Sequence, residues 1–423
     1  MKKLNQKPAS LFSNILVFLA SLVILIFVME LIFPHVLHKL PLSIYVGLDD
    51  GYKVLGQSTK KSVIPENYIA IVGDSHALGQ GDWYLQAVRK HKLSQGDYHS
   101  AHVLYNRTGR DIISYGALGS GSLRGLVSQP IAHFRHINSL RAFELKDPEM
   151  ILVYFFEGND LNDNMIDLQG KYKDIIDPDK FYDPEYFKTF IQKSVLEVDP
   201  LYNAEGPLKN FLFTRFLIES VGDNVVNEVK RGFKKLKRAI NKKVDEIKED
   251  DSQKPEPVHY DTALIDGKEF PIPINTQHPA MTLTAEQTKQ AIYIFEQSLL
   301  FLADYFKNSS IAVVYIPAPL SSYQWVSPTV TIPTGKGIVT VESGSIHARS
   351  QEICLKVQDV SRKQNFKFAD TRNFFRKAAA KEPIHGPRDW LHPNESGYRA
   401  LAEGVISAFF DGEKPSEFMQ CEG

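Results

Sequence analysis

The run Tyr68-Ile69-Ala70-Ile71-Val72-Gly73-Asp74-Ser75-His76 decides how the chain reads. Five apolar residues in succession, closed by residues that break extended structure, are the pattern of a strand buried on both faces. Glycine, aspartate and serine end the strand and suit the start of a helix. Ser75 then stands at the carboxyl end of a central strand, where open α/β sheets place their sites. Its hydroxyl is expected to be exposed, with helix amides close enough to hold a developing oxyanion. A plain turn with a helix cap would look the same over these few residues, so the rest of the chain must choose.

The same grammar recurs outward from this run. Asp111–Tyr115 reads as a strand running into Gly116-Ala-Leu-Gly119-Ser-Gly121, and Met150–Phe156 as a strand running into Glu157-Gly158-Asn159-Asp160. Ile311–Ile316 is a strand closed by Pro317 and Pro319, Phe366–Ala369 is a short one, and Ala101–Tyr105 reads as another. Helices are expected over 76–91, 126–140 and 345–364, and in a last segment to about Phe410. Another opens at the capping box Thr284-Ala-Glu-Gln287 and runs to about Phe306. Strand, polar turn, helix and strand again predict a parallel sheet covered by helices.

Residues 161–281 interrupt this rhythm and read as a polar, helical insertion between the two halves, 67–160 and 282–412, of one domain. Within it Val225, Val229, Phe233, Leu236, Ile240, Val244 and Ile247 recur as one face of a helix, with lysines and arginines on the others. The plainer reading is a solvated basic face; the alternative is a hold on anionic lipid or polymer.

At the amino end, residues 1–10 carry Lys2, Lys3 and Lys7, and residues 11–33 are almost continuously apolar. That length crosses a hydrocarbon core of about 30 Å, and the lysines favour a cytoplasmic amino terminus. Glu30-Leu-Ile-Phe-Pro34 follows where a signal peptide would show small residues at a cleavage site, so an uncleaved anchor is expected. Glu30 is placed where it can reach the headgroups. Residues 34–66 form a connector and 413–423 a tail. A net charge of -1 points to no nucleic-acid partner. The two cysteines, Cys354 and Cys421, build neither a disulfide framework nor a zinc site, and the sequence leaves their pairing open.

Acyl transfer needs a nucleophile, a base, a carboxylate to orient the base, and donors for the oxyanion. Ser75, His392 and Asp389 supply the first three, and the Ser75 amide, the Gly119 amide and the Asn159 side chain supply the donors. No metal or other cofactor is called for. His99 with His102 and His133 with His136 have spacings that could suit a metal; without a His-Glu-x-x-His pattern they read as surface histidines. Asn159 could instead cap a helix, Gly119 could serve a turn, and Asp389 with His392 could be a surface pair. Asn394 begins a glycosylation sequon, but its place just after His392-Pro393 explains it better.

Gly73-Asp74-Ser75, Gly119, Gly158-Asn159-Asp160 and Asp389-Trp390-Leu391-His392, in this order and after these elements, resemble the SGNH (GDSL-type) hydrolases. The resemblance implies a flavodoxin-like three-layer α/β/α sandwich and a Ser-His-Asp esterase or acyltransferase, with the roles just given. Two positions depart from the family pattern: His76 stands where leucine is usual, and Glu157 replaces the first glycine of the third block. The His76 variant resembles a branch acting on O-acyl groups of bacterial surface polysaccharides, often membrane-anchored. The implied partners are an acylated saccharide and, through residues 11–33, a bacterial inner membrane with the domain outside the cytoplasm. A lipid esterase or lysophospholipase, and a non-catalytic scaffold that binds glycan, are the competing readings.

Overall fold

The computed structural model of the chain describes residues 9–45, 48–88, 99–206, 209–218, 260–274, 276–334, 337–412 and 420–421. The amphipathic basic segment expected over residues 225–247 lies outside them.

Strands β1 (Tyr68–Val72), β2 (Asp111–Ser114) and β3 (Met150–Phe156) form a parallel sheet with two later strands. Before those come β4 (Tyr260–Ile265) and β5 (Lys268–Pro273), an antiparallel hairpin. β6 (Ser310–Ile316) then joins the parallel sheet beside β3. The short β7 (Gln324–Trp325) pairs with β4, and β8 (Thr329–Thr334) pairs antiparallel with β9 (Gly337–Glu342). β10 (Lys367–Asp370) completes the main sheet, whose order is β10-β6-β3-β1-β2. Taken in chain order, its five strands run 2-1-3-4-5, the flavodoxin-like order, with the topological switch between β1 and β3.

β1 and β3 are buried at every residue because helices cover both faces. Val72, Val153, Phe155 and Tyr315 meet residues such as Ile131, Leu161, Ile294 and Val357 from the helices Gln129–Asn138, Asp160–Gln169, Ala285–Tyr305 and Ser343–Lys363. Ile71, Leu152, Tyr154 and Phe156 meet Leu104, Phe375 and Leu401 from Ser100–Thr108, Arg372–Ala379 and Glu395–Phe409 on the other face. The edge strand β2 is capped by the connector. Ile112 N donates to Thr59 O (2.8 Å), and the Gln57 side chain bonds both the N–H (2.9 Å) and the carbonyl (2.6 Å) of Ser114. These bonds satisfy the row of backbone groups an edge strand otherwise leaves open.

Several local expectations are corrected. Ala101–Tyr105 is helical, within Ser100–Thr108, because His99 caps the Ala101 amide and Gly109 ends the helix in the left-handed region. The helix expected over 76–91 is broken at Gly79, also left-handed, into Ser75–Leu78 and Asp82–Val88. Of the polar, helical insertion, Tyr172, Ile176, Phe187, Ile191 and Leu196 enter the main core, and residues 260–273 are the β4–β5 hairpin rather than helix. Cys354 and Cys421 form a disulfide that ties the tail to the helix Ser343–Lys363.

The helix Ala9–Val36 runs on into a 3-10 turn, Leu37–Lys39, and the stretch Ser13–Lys39 is long and apolar enough to cross a membrane. Its last turns enter the folded domain, with Phe33 and Leu37 part of the main core. Glu30 accepts hydrogen bonds from the backbone amides of Phe213 and Thr214.

Candidate active site

Gly73 makes the turn after β1 possible. Its φ is +142°, and a Cβ there would come within 2.6 Å of Tyr154 O, so a larger residue would push β1 from β3. The Asp74 side chain then caps the helix Ser75–Leu78 by accepting from His76 N (2.8 Å). This geometry aims Ser75 Oγ away from the sheet toward the loop before the last helix.

The structure brings Ser75, His392 and Asp389 together across more than three hundred residues of chain. Ser75 Oγ lies 2.8 Å from His392 Nε2, and His392 Nδ1 lies 2.7 Å from Asp389 Oδ2. Ser75 Oγ also lies 3.4 Å from Asp74 Oδ2, a much weaker contact. The hydroxyl expected in the open is only 4% exposed, covered by the histidine it bonds. Asp389 and His392 are each 8% exposed, which removes the surface-pair reading.

Asp389 is held by its backbone surroundings. Its Oδ1 accepts from Leu391 N (3.0 Å) and His392 N (3.2 Å), which leaves Oδ2 for the imidazole. Burial pushes this carboxyl up. The hydrogen bond and charge of His392, with the two amides, more than offset that and hold it below the ordinary carboxylate value. An ionised Asp389 fixes the proton of His392 on Nδ1 and leaves Nε2 free to accept from Ser75. Asp82 supports the loop from below: its carboxylate accepts from Asp389 N (2.7 Å) and Arg388 N (3.1 Å). Asn394 closes it from above, capping the last helix at Gly397 N and donating to Pro383 O (2.8 Å). That engagement of the Asn394 side chain accounts for the residue without glycosylation.

His76 and Glu157, the two positions that depart from the SGNH motifs, are both buried and bonded in the structure. His76 is buried, stacked on Phe156 with ring centroids 3.7 Å apart, and sits 5.1 Å from the ring of His392. Burial pushes its pKa below the ordinary histidine value, so near neutrality it is a neutral donor, through Nδ1, to Asp74 (3.1 Å). It therefore braces the turn that carries Ser75 from behind. Glu157 is fully buried at the end of β3. It accepts from Ala318 N (2.8 Å), Ser350 Oγ (2.6 Å), Tyr315 OH and Ser321 Oγ. With so many donors the charge is compensated, and the carboxylate ties the β3 turn to the end of β6 and to the helix Ser343–Lys363.

Gly119 and Asn159 lie on the loops after β2 and β3, the strands on either side of β1. Gly119 is exposed, with φ +53° and open space around it. Asn159 stands at the helix N-cap but makes no capping bond; its Nδ2 donates to Asp163 Oδ2 (3.0 Å), which leaves a second amide hydrogen unassigned. One helix, Asp160–Gln169, holds both loops. Asp163 holds Asn159, and Asn164 accepts from Ser122 N (2.6 Å) while donating to Ser122 Oγ and Ala291 O (3.0 Å each). Burial, with the charges of Asp74 and Asp167, pushes the Asp163 carboxyl up to about 7.

Asp82, Asp163 and Asn164 were not singled out from sequence. Each acts through a partner far away in the chain or through a loop whose path the sequence does not give. The histidine pairs expected at the surface are instead mostly internal: His99, His133 and His136 are 5%, 2% and 2% exposed. His99 Nε2 bonds Ala77 O (3.1 Å) and its Nδ1 accepts from Ala101 N (2.7 Å), so both nitrogens are spent on the backbone.

No family model, characterised protein or solved structure matches the chain.

Proposed function

We propose that the protein is a membrane-anchored SGNH-type serine esterase or O-acyltransferase. It would act on ester-linked acyl groups, acetyl foremost, of cell-envelope polysaccharide. The observation that carries this reading is the hydrogen-bonded chain Ser75–His392–Asp389 at the carboxyl end of β1, beside the switch point of a doubly wound sheet.

In this reading Ser75 Oγ attacks the ester carbonyl carbon as its proton passes to His392 Nε2. The tetrahedral oxyanion is received by the Ser75 and Gly119 amides and the unassigned Asn159 hydrogen. Collapse breaks the bond to the alcohol, which leaves with the proton from His392. Water or a sugar hydroxyl then gives its proton to His392 as it attacks acyl-Ser75; collapse breaks the acyl–Oγ bond, and His392 returns the proton to Ser75 Oγ. Asp389 carries no proton through the cycle; it steadies the imidazolium. The apolar helix supports an anchor, and the Cys354–Cys421 disulfide supports an oxidising compartment outside the cytoplasm.

A cavity of about 510 Å³ lies between His38–Leu42 and the residues Leu78, Trp83 and His99. None of Ser75, His392 or Asp389 lines it. The test is labelling by a fluorophosphonate, followed by turnover of acetylated saccharides and of acyl esters of increasing length. Labelling of the wild type but not of Ser75→Ala, with preference for the short acyl group, supports the reading. Equal labelling of both removes Ser75 as nucleophile. Preference for long chains moves the protein to the lipid esterases, and failure to label at all leaves the glycan-binding scaffold.

A further inference from the structure

An acidic residue in a membrane-spanning helix is costly unless something satisfies it. Glu30 is satisfied by an unusual partner. Its two carboxylate oxygens accept from the amides of Phe213 (3.0 Å) and Thr214 (2.7 Å), at the start of the helical segment 212–218. Three residues on, the ring of Phe33 packs against Phe213 and Phe216, with centroids 5.5 and 5.1 Å away. The other side of the segment is fastened to the domain. Leu212 is buried, and Arg215 bonds Asp49 (3.0 Å) while lying over the ring of Tyr52 (5.1 Å). The side chains left pointing outward are apolar: Phe211, Leu217 and Ile218 are 51%, 40% and 54% exposed.

The height of this patch follows from the helix. At about 1.5 Å per residue, the stretch from Ser13 to Phe33 spans about 30 Å, the thickness of the hydrocarbon core. Glu30 and Phe33 therefore stand at its far boundary, and the segment bonded to them stands at the same level. We propose that residues 211–218 are a second membrane-contacting element, seated flat in the interface of the bilayer that the anchor crosses. Phe211, Leu217 and Ile218 enter the boundary between headgroups and acyl chains. The proposal rests on the anchor spanning the membrane, not on the chemistry of Ser75. Its consequence is a fixed orientation: a domain held by the span and by this foot cannot swivel freely about a single helix.

The test places one nitroxide label at a time on the full chain, at Leu217→Cys, Ile218→Cys, Val23→Cys and Ile338→Cys. Both native cysteines are spent in the disulfide, so each added thiol is labelled alone. Val23 lies on the exposed face of the anchor and Ile338 on the exposed β9, so they report lipid and water. In vesicles of phosphatidylethanolamine and phosphatidylglycerol, collision with oxygen is compared with collision with a water-soluble nickel chelate. The expected result is that labels at 217 and 218 favour oxygen, as at Val23. If they favour the chelate, as at Ile338, while Val23 favours oxygen, the foot is refuted and the anchor stands. If Val23 also favours the chelate, the anchor fails and the foot with it. Shielding of 217 and 218 from both probes, with spin–spin broadening, would assign the patch to a contact between copies and overturn the proposal.

Discussion

Asp389→Asn tests the proposed chemistry most directly, and the structure says why so small a change should matter. Asp389 Oδ1 is committed to two backbone donors, Leu391 N and His392 N. An asparagine carbonyl must take that place, because an amide NH₂ there would oppose two N–H groups. The new NH₂ is then forced to the Oδ2 position, facing His392 Nδ1 at the present 2.7 Å separation. Two donors cannot share that contact, so Nδ1 must give up its hydrogen and accept. The proton moves to Nε2, which then opposes the Ser75 hydroxyl as a donor and cannot take its proton. The side chain stays in place, the fold is kept and the base is lost. The same tautomer error in a serine protease costs about 10⁴-fold in kcat, and a loss of about 10³- to 10⁴-fold is expected here. The assay is kcat and KM on one soluble acetyl ester, with circular dichroism to verify folding. A folded variant with kcat within about tenfold of wild type would refute the argument, since the wrong tautomer forfeits the general base.

Three further outcomes follow from the same contacts. Asn164→Ala leaves the buried Ser122 amide without its partner; at about 1–3 kcal/mol for an orphaned group it should lower the urea midpoint, and by loosening the Gly119 loop it should lower kcat more than it raises KM. Asp163, with its folded pKa raised to about 7, keeps a proton that the unfolded chain releases above about pH 4. Its contribution therefore falls as pH rises from about 4 to 7, and Asp163→Asn should flatten this decline in urea midpoints measured at about pH 5 and pH 8. A chain beginning at Leu40 loses Phe33 and Leu37, which are 4% and 0% exposed. At about 1.5–3 kcal/mol for each buried side chain, it should unfold at lower urea than a chain beginning at Met29, and equal midpoints would show those contacts to be idle.

The sheet was legible because its strands carry their own boundaries. Tyr68–Val72 and Met150–Phe156 are apolar at consecutive positions, as strands covered on both faces must be, and each ends in a polar turn. The capping box at Thr284 and Gln287 was legible for the same reason, since both partners lie within one turn and both bonds form. Local chemistry also held a signal that went unread. Asp266-Gly267 is a strong hairpin dipeptide, and both residues take the left-handed conformation between β4 and β5. Lysine and proline around it gave the segment the look of a polar connection.

Other errors came from tertiary partners that composition cannot announce. Ala101–Tyr105 reads as a short strand, yet one face of a helix there fills the space over β2, and His99 supplies the cap. His133 and His136 are polar by residue type, but the connector folds over them; burial pushes both to about 4, which keeps the rings neutral and makes their enclosure tolerable.

The candidate site divides the same way. Ser75, Asp389 and His392, which the structure joins, were legible because each sits in a short motif directly beside an element boundary. What aligns them was not. Asp82 reaches the loop of Asp389 across 307 positions, and Asn164 joins the Gly119 loop to the Asn159 helix by two hydrogen bonds, to Ser122 N and Ser122 Oγ, from a position with no motif around it. A nucleophile and its base can be recognised by type, because the reaction demands those groups. A carboxylate that only holds a backbone loop at the right height can come from any strand, helix or turn that passes nearby, so its identity is settled by the fold. Asp82 and Asn164 are accordingly the positions where a substitution would separate alignment of the site from its chemistry, with Ser75, His392 and Asp389 all still present.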